Sequence, residues 1–168
     1  MKSPACSNSP ENNGTLLMNP HVSKEMTAQP SSASLCERCG REHPDCVVCS
    51  PTNPVGLQLR PELRADGSVE AVFPCDAAFQ GYTGILHGGV TAALLDGIMT
   101  HCLFAHDVSA VTAQMTVRFR HPITIGTPVV AHARRKHSHS TLHVVEAELI
   151  QDGRVKATAS AKFLERQQ

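Results

Sequence analysis

Between Gly88 and Ala105 the chain has eighteen residues and only four polar side chains: Thr91, Asp96, Thr100 and His101. A helix of that composition has no face to present to water, so other elements must enclose it. In a chain of 168 residues, that points to one domain built around one helix.

The enclosing elements read as strands. Val111, Ala113, Met115, Val117 and Phe119 alternate with Thr112, Gln114, Thr116, Arg118 and Arg120. Val155, Ala157, Ala159, Ala161 and Phe163 alternate with Arg154, Lys156, Thr158, Ser160 and Lys162. Period two predicts half-buried antiparallel strands. Residues 127–134 and 141–150 read as two more, with Gln151-Asp152-Gly153 as a hairpin turn and Pro122 ending the first strand of the set. Upstream, residues 55–63 and 68–73 are strand-like and flank Ala65-Asp66-Gly67, where Asp-Gly is a hairpin signal. The pattern predicts an α+β fold in which a curved antiparallel sheet wraps one helix. A two-layer α+β sandwich is the alternative.

Fifteen Lys plus Arg balance fifteen Asp plus Glu, for a formal net charge of zero. This excludes a strongly basic nucleic-acid binder and a polyanionic tail, so no nucleic-acid partner is expected. Charged residues are only 18% of the chain, which predicts surface buried between subunits. No run of eighteen apolar residues is present and the N-terminus lacks an apolar signal core. The expectation is a cytoplasmic protein with no membrane partner, whose clustered cysteines are thiols or metal ligands. Residues 1–34 contain fifteen Ser, Asn or Pro and no aromatic residue, which predicts a disordered lead. Residues 35–50 form a Cys-rich segment and 51–168 the globular domain.

Asp96 is the anomaly of the apolar helix. A carboxylate among Leu94, Leu95, Ile98 and Met99 is costly unless paired or hydrogen-bonded. His87-Gly88-Gly89 opens the same helix. Two glycines there leave backbone N–H groups unobstructed, and the helix dipole adds partial positive charge, so the terminus can hold an anion or a polarised carbonyl oxygen. Close helix–sheet packing would also explain the glycines. Eight residues separate Gly88 from Asp96, about 12 Å of helix. One small reacting group cannot touch both on one chain. A shared site therefore requires two antiparallel copies of the helix, hence a homodimer.

The segment Gly84-Ile85-Leu86-His87-Gly88-Gly89-Val90-Thr91-Ala92-Ala93-Leu94-Leu95-Asp96 resembles the helix motif of hotdog-fold thioesterases of the PaaI type. Cys46-Val47-Val48-Cys49 with Asn53-Pro54-Val55-Gly56-Leu57, Val117-Arg118-Phe119-Arg120-His121-Pro122 with Ile125-Gly126, and Gly153-Arg154-Val155-Lys156-Ala157 extend the resemblance over about residues 45–165. It implies a hotdog fold working as a dimer or a dimer of dimers, with acyl-CoA at the subunit interface. It further implies that the Gly88 N–H polarises the thioester carbonyl, with Gly89 beside it on the substrate. Asp96 of the partner chain would be general base or nucleophile. His87 would position the substrate and Thr112 would orient water or the carboxylate. No cofactor is required for that catalysis.

The chemistry is coherent on physical grounds, because thioester hydrolysis needs an oxyanion donor and a base for water. No G-x-S-x-G elbow and no Walker or Rossmann glycine pattern is present. A non-catalytic hotdog module that binds acyl-CoA, or a zinc-knuckle interaction protein, would be alternatives. A hotdog dehydratase lacks its His and Glu pair here. Arg134-Arg135-Lys136 reads as a solvated hairpin end, with contact to CoA phosphates as the alternative. Cys36, Cys39, Cys46 and Cys49 form two CxxC pairs, Cys39-Gly40 has the look of a metal knuckle, and His43 is a substitute ligand. They predict either a structural Zn²⁺ or four reduced thiols. Cys6, Cys75 and Cys102 read as single thiols, Cys102 as inert packing.

Overall fold

A computed structural model of the chain describes residues 31–166. The elements are α1 (Ser32–Glu42), β1 (Glu62–Leu63), β2 (Val69–Phe73), a 3-10 turn (Ala77–Phe79), α2 (Gly88–Phe104), β3 (Ala110–Phe119), β4 (Val129–His139), β5 (Leu142–Gln151) and β6 (Arg154–Glu165). The strands form one antiparallel sheet in the order β1-β2-β4-β5-β6-β3. Helix α2 packs along β2 to β6, in the α+β hotdog arrangement. Leu94, Leu95, Ile98, Met99 and Leu103 from the helix meet Val129, Ala131, Val145, Leu149 and Phe163 from the sheet in one fully buried core. Each of these side chains larger than alanine contributes about 1.5–3 kcal/mol through removal from water. No helix among the described residues is long and apolar enough to cross a membrane.

The local signals with the strongest chemistry hold. Asp152 and Gly153 both have positive φ, 53° and 69°, as the tight turn joining β5 to β6 demands. Alternate residues of β6 from Ala157 to Phe163 are buried. Four expectations are corrected. The strand over 55–63 shrinks to Glu62–Leu63, because Pro54 and Pro61 lack ladder donors and Gln58 adopts a φ of 53°. Its Leu57 and Leu59 N–H groups instead pair with the carbonyls of Val47 and Val48. The Arg134-Arg135-Lys136 run lies inside β4, and the turn comes at Ser140 and Thr141. Strand β3 is exposed at Val111, Ala113 and Phe119, because it is the sheet's edge and β6 is its one partner among the described residues. Finally, Gly40 is helical, so Cys36 and Cys39 lie on α1 and make no knuckle turn.

Most of the lead expected to be disordered, residues 1–30, lies outside the described residues, as does Cys6. Its end at Ser32–Ser34 begins α1, capped reciprocally by Ser31 and Ser34. The strap that follows, residues 44–61, crosses α2 at Gly97. A Cβ on Gly97 would stand 2.4 Å from Val48 Cγ1, so the strap lies directly on the helix backbone. Alanine gains about 1 kcal/mol of helix preference there but overpacks the crossing by about 1–3 kcal/mol. Gly97→Ala is therefore expected to lower the urea midpoint of unfolding, and Val48→Ala in the same chain to recover part of the loss.

Candidate active site

Helix α2 starts where the chain leaves the loop at His87. The His87 backbone is extended, and its Nδ1 accepts from the Gly89 N–H at 2.9 Å. Since Nδ1 is the acceptor, the neutral ring carries its proton on Nε2. A Cβ on Gly89 would meet His87 Nδ1 at 3.0 Å, so glycine at this position keeps the ring seated. Gly89 thus spends its N–H on His87 and bears on the site through that ring. The Gly88 N–H occupies the first helical position, where no intrahelical acceptor exists. Gly88 and Thr91 line a groove of about 380 Å³ with Tyr82, Phe119, His121 and Ile123. Tyr82 and Phe119 are exposed. The aromatic character of this groove escapes the sequence reading; the only hint is that Tyr82 is the single tyrosine of the chain.

Asp96 sits half-buried two turns further along, at the helix midpoint. Thr112 Oγ1 on β3 donates to Asp96 Oδ1 at 2.7 Å. A β-bulge after Thr112 interrupts the pairing of β3 with β6, and bulges re-aim side chains. The structure thus brings Asp96 and Thr112 together and holds Gly88, Gly89 and His87 together about 12 Å away, at the rise of an α-helix.

The Cys-rich segment also packs on this part of α2, with Val48 seated on Gly97. The ligand atoms of His43, Cys46 and Cys49 lie within 4.8 Å of one another. His43 packs edge-on against Phe104 of α2, with ring centroids 4.9 Å apart. Burial holds His43 below its usual range, against the opposing pull of nearby carboxylates that include Asp96. Burial pushes the Cys39 thiol up to about 12, and the neighbouring Cys36 and Cys46 add to the rise. Cys36 is exposed and lies one turn before Cys39. The four-cysteine set is therefore only partly gathered: Cys46 and Cys49 converge with His43, while Cys36 and Cys39 stand outside that tight group. Cys75 and Cys102 are buried, and burial raises both thiols. Arg134 and Lys136 pair with Glu146, which matches a solvated strand better than a phosphate contact.

Residues 83–158 match the family model described as the thioesterase superfamily. Over that segment, which holds α2 to β5 and the start of β6, the chain is similar to that superfamily. Solved structures with the same fold include a thioesterase superfamily protein, 24% identical over 70% of this chain, with a TM-score of 0.67. The chain spans 61% of that protein's length. They also include the PaaI protein of the E. coli phenylacetic acid degradation operon, 16% identical, covering 81% of this chain and 96% of that one, with a TM-score of 0.67. A third is a hypothetical thioesterase from Streptococcus pneumoniae TIGR4 solved with coenzyme A, 20% identical, covering 66% and 87% of the two chains, with a TM-score of 0.61. That Streptococcus protein has also been solved with an Asp and, separately, a Thr replaced by Ala. No match is found among curated protein sequences. Identities this low show a shared hotdog fold.

Proposed function

We propose that the protein hydrolyses acyl-CoA thioesters to a free acid and CoA at the interface of a homodimer. The 2.7 Å bond from Thr112 to Asp96 carries this reading. It holds the one carboxylate of a mostly apolar helix at the helix midpoint, and the N-terminus of that helix opens on a groove. The Asp and Thr replaced in the Streptococcus protein stand sixteen positions apart, the separation of Asp96 from Thr112.

The thioester carbonyl oxygen accepts from the Gly88 N–H, and the dipole of α2 stabilises the charge that develops there. His87 presents Nε2–H beside it to position the substrate. Asp96 of the second chain takes a proton from water that attacks the acyl carbon, or attacks that carbon itself to give a mixed anhydride that water then cleaves, releasing the acid and regenerating the carboxylate. Thr112 occupies Oδ1 and orients the carboxylate. The C–S bond breaks, and the departing CoA sulfur takes up a proton. No cofactor enters. The separation of the two halves, about 12 Å along the helix, supports the dimer, as does β3, a ten-residue edge strand with exposed Val111 and Phe119. An edge of that length asks for a partner. Pairing two β3 edges would set Gly88 of one chain toward Asp96 of the other, twice by symmetry, and two such dimers can associate further. CoA thioesters are water-soluble, in keeping with a cytoplasmic enzyme.

A panel of acyl-CoAs of different acyl groups, followed by thiol release, tests the activity. Tight CoA binding without release across the panel would instead mark a non-catalytic binding module. A monomer by sedimentation at assay concentrations would remove the shared site. Thr112→Val deletes the hydroxyl at nearly constant volume. It removes a hydrogen bond to a charged group, about 1.5–3 kcal/mol, so kcat is expected to fall by roughly tenfold or more, with Thr112→Ser retaining most of it.

A further inference from the structure

We infer that Cys39, His43, Cys46 and Cys49 form a tetrahedral Zn²⁺ site that clamps the N-terminal strap onto α2 beside Asp96. Three of the donors are already gathered, with the ligand atoms of His43, Cys46 and Cys49 within 4.8 Å of one another. His43 Nδ1 lies 3.8 Å from Cys49 Sγ. Two ligands about 2.0 and 2.3 Å from one zinc at a tetrahedral angle stand some 3.5 Å apart, so this pair is already close to ligating separation. The Val48 N–H donates to Cys46 Sγ at 3.3 Å. A backbone donor at that sulfur supports thiolate charge, as an outer-shell hydrogen bond on a metal ligand does.

The fourth ligand follows from the helix. Cys39 and His43 are four residues apart at the end of α1, where the His43 N–H donates to the Cys39 carbonyl at 2.9 Å. Side chains at that spacing share a face. Cys39 and Cys46 both pack against the core at this end of α1, and Cys39 stands just outside the tight group of the other three. Three sulfurs and one imidazole form a donor set that selects Zn²⁺ among the common divalent ions. With all four positions filled by protein, the ion is structural. It ties the end of α1 to the turn at 46–49. That turn carries Val48, which rests on Gly97 one residue from Asp96, and His43 rests on Phe104.

The test is metal analysis of the full chain purified under reducing conditions. One zinc per chain is expected. Cys39→Ser, His43→Ala, Cys46→Ser and Cys49→Ser should each lower zinc retention under a chelator at least tenfold, while Cys36→Ser should retain it as wild type does. Variants that fail to fold are bypassed by stripping wild type with chelator and titrating with Co²⁺. The intense ligand-field bands of a tetrahedral cobalt–thiolate centre should saturate at one equivalent. Zinc-free wild type with no such bands would overturn the site. Zinc lost from Cys36→Ser and kept in Cys39→Ser would overturn the ligand set. Neither readout depends on thioester hydrolysis, so the clamp and the proposed activity fail separately.

Discussion

Asp96→Asn is expected to lower acyl-CoA turnover by about a hundred- to ten-thousand-fold, the range of a positioned general base. The amide keeps the size of the carboxylate and still accepts from Thr112 through its carbonyl oxygen, so the 2.7 Å contact survives. What disappears is the group able to take a proton from water or attack the acyl carbon. The measurement is thiol release from the best substrate of the panel, beside a urea unfolding curve. Stability should be unchanged or improved, because a charge leaves a half-buried position on an apolar helix. Turnover equal to wild type in Asp96→Asn and Asp96→Ala would remove Asp96 from the chemistry. Unchanged KM with collapsed kcat is the expected split.

Phe163→Ala is expected to cost about 3–5 kcal/mol of folding stability and to lower the melting temperature by roughly 10 °C. Phe163 is fully buried on β6, paired across the sheet with Thr112 on one side and His143 on the other. The truncation leaves a cavity beneath the strand that presents Thr112, so activity should fall further than stability alone explains. Phe163→Leu restores most of the volume and should cost about 1.5 kcal/mol or less. A loss below about 1 kcal/mol for the alanine would mean that this part of the core closes over the gap.

Much of this architecture is legible in the residues, for reasons that differ by element. Helix α2 stands out because its four polar side chains cannot make a wet face, and β6 because its alternation is complete. The turn at Asp152-Gly153 is fixed by backbone sterics, which are local. Helix α1 was hidden: its polar face resembles a disordered lead, and Leu35 is its one fully buried side chain, with Cys39 packed beside it against the core. The exposed β3 shows the converse, since its sequence alternates as though one face were covered, while its place at the sheet edge leaves most of it open. At the site, Asp96 and the glycine pair are conspicuous by chemistry. The contact between Thr112 and Asp96 depends on a bulge and a register that no local pattern encodes. His43 is a similar case. As a single histidine in a short segment it says little, and only the end of α1 turns it toward Cys46 and Cys49.

The strand order has a consequence for how this chain acquires its site. Strands β4, β5 and β6 follow one another and pair as neighbours, so their contacts are local and can form early. Strand β3 precedes them in the chain yet pairs with β6, the last to be made. Thr112 is only sixteen residues from Asp96, but the bulge beside it belongs to the pairing of β3 with β6, so its aim at the carboxylate rests on a contact that spans the whole meander. A nascent or partly folded chain can carry the helix and the meander and still lack the oriented carboxylate, so competence arrives with the final long-range pairing.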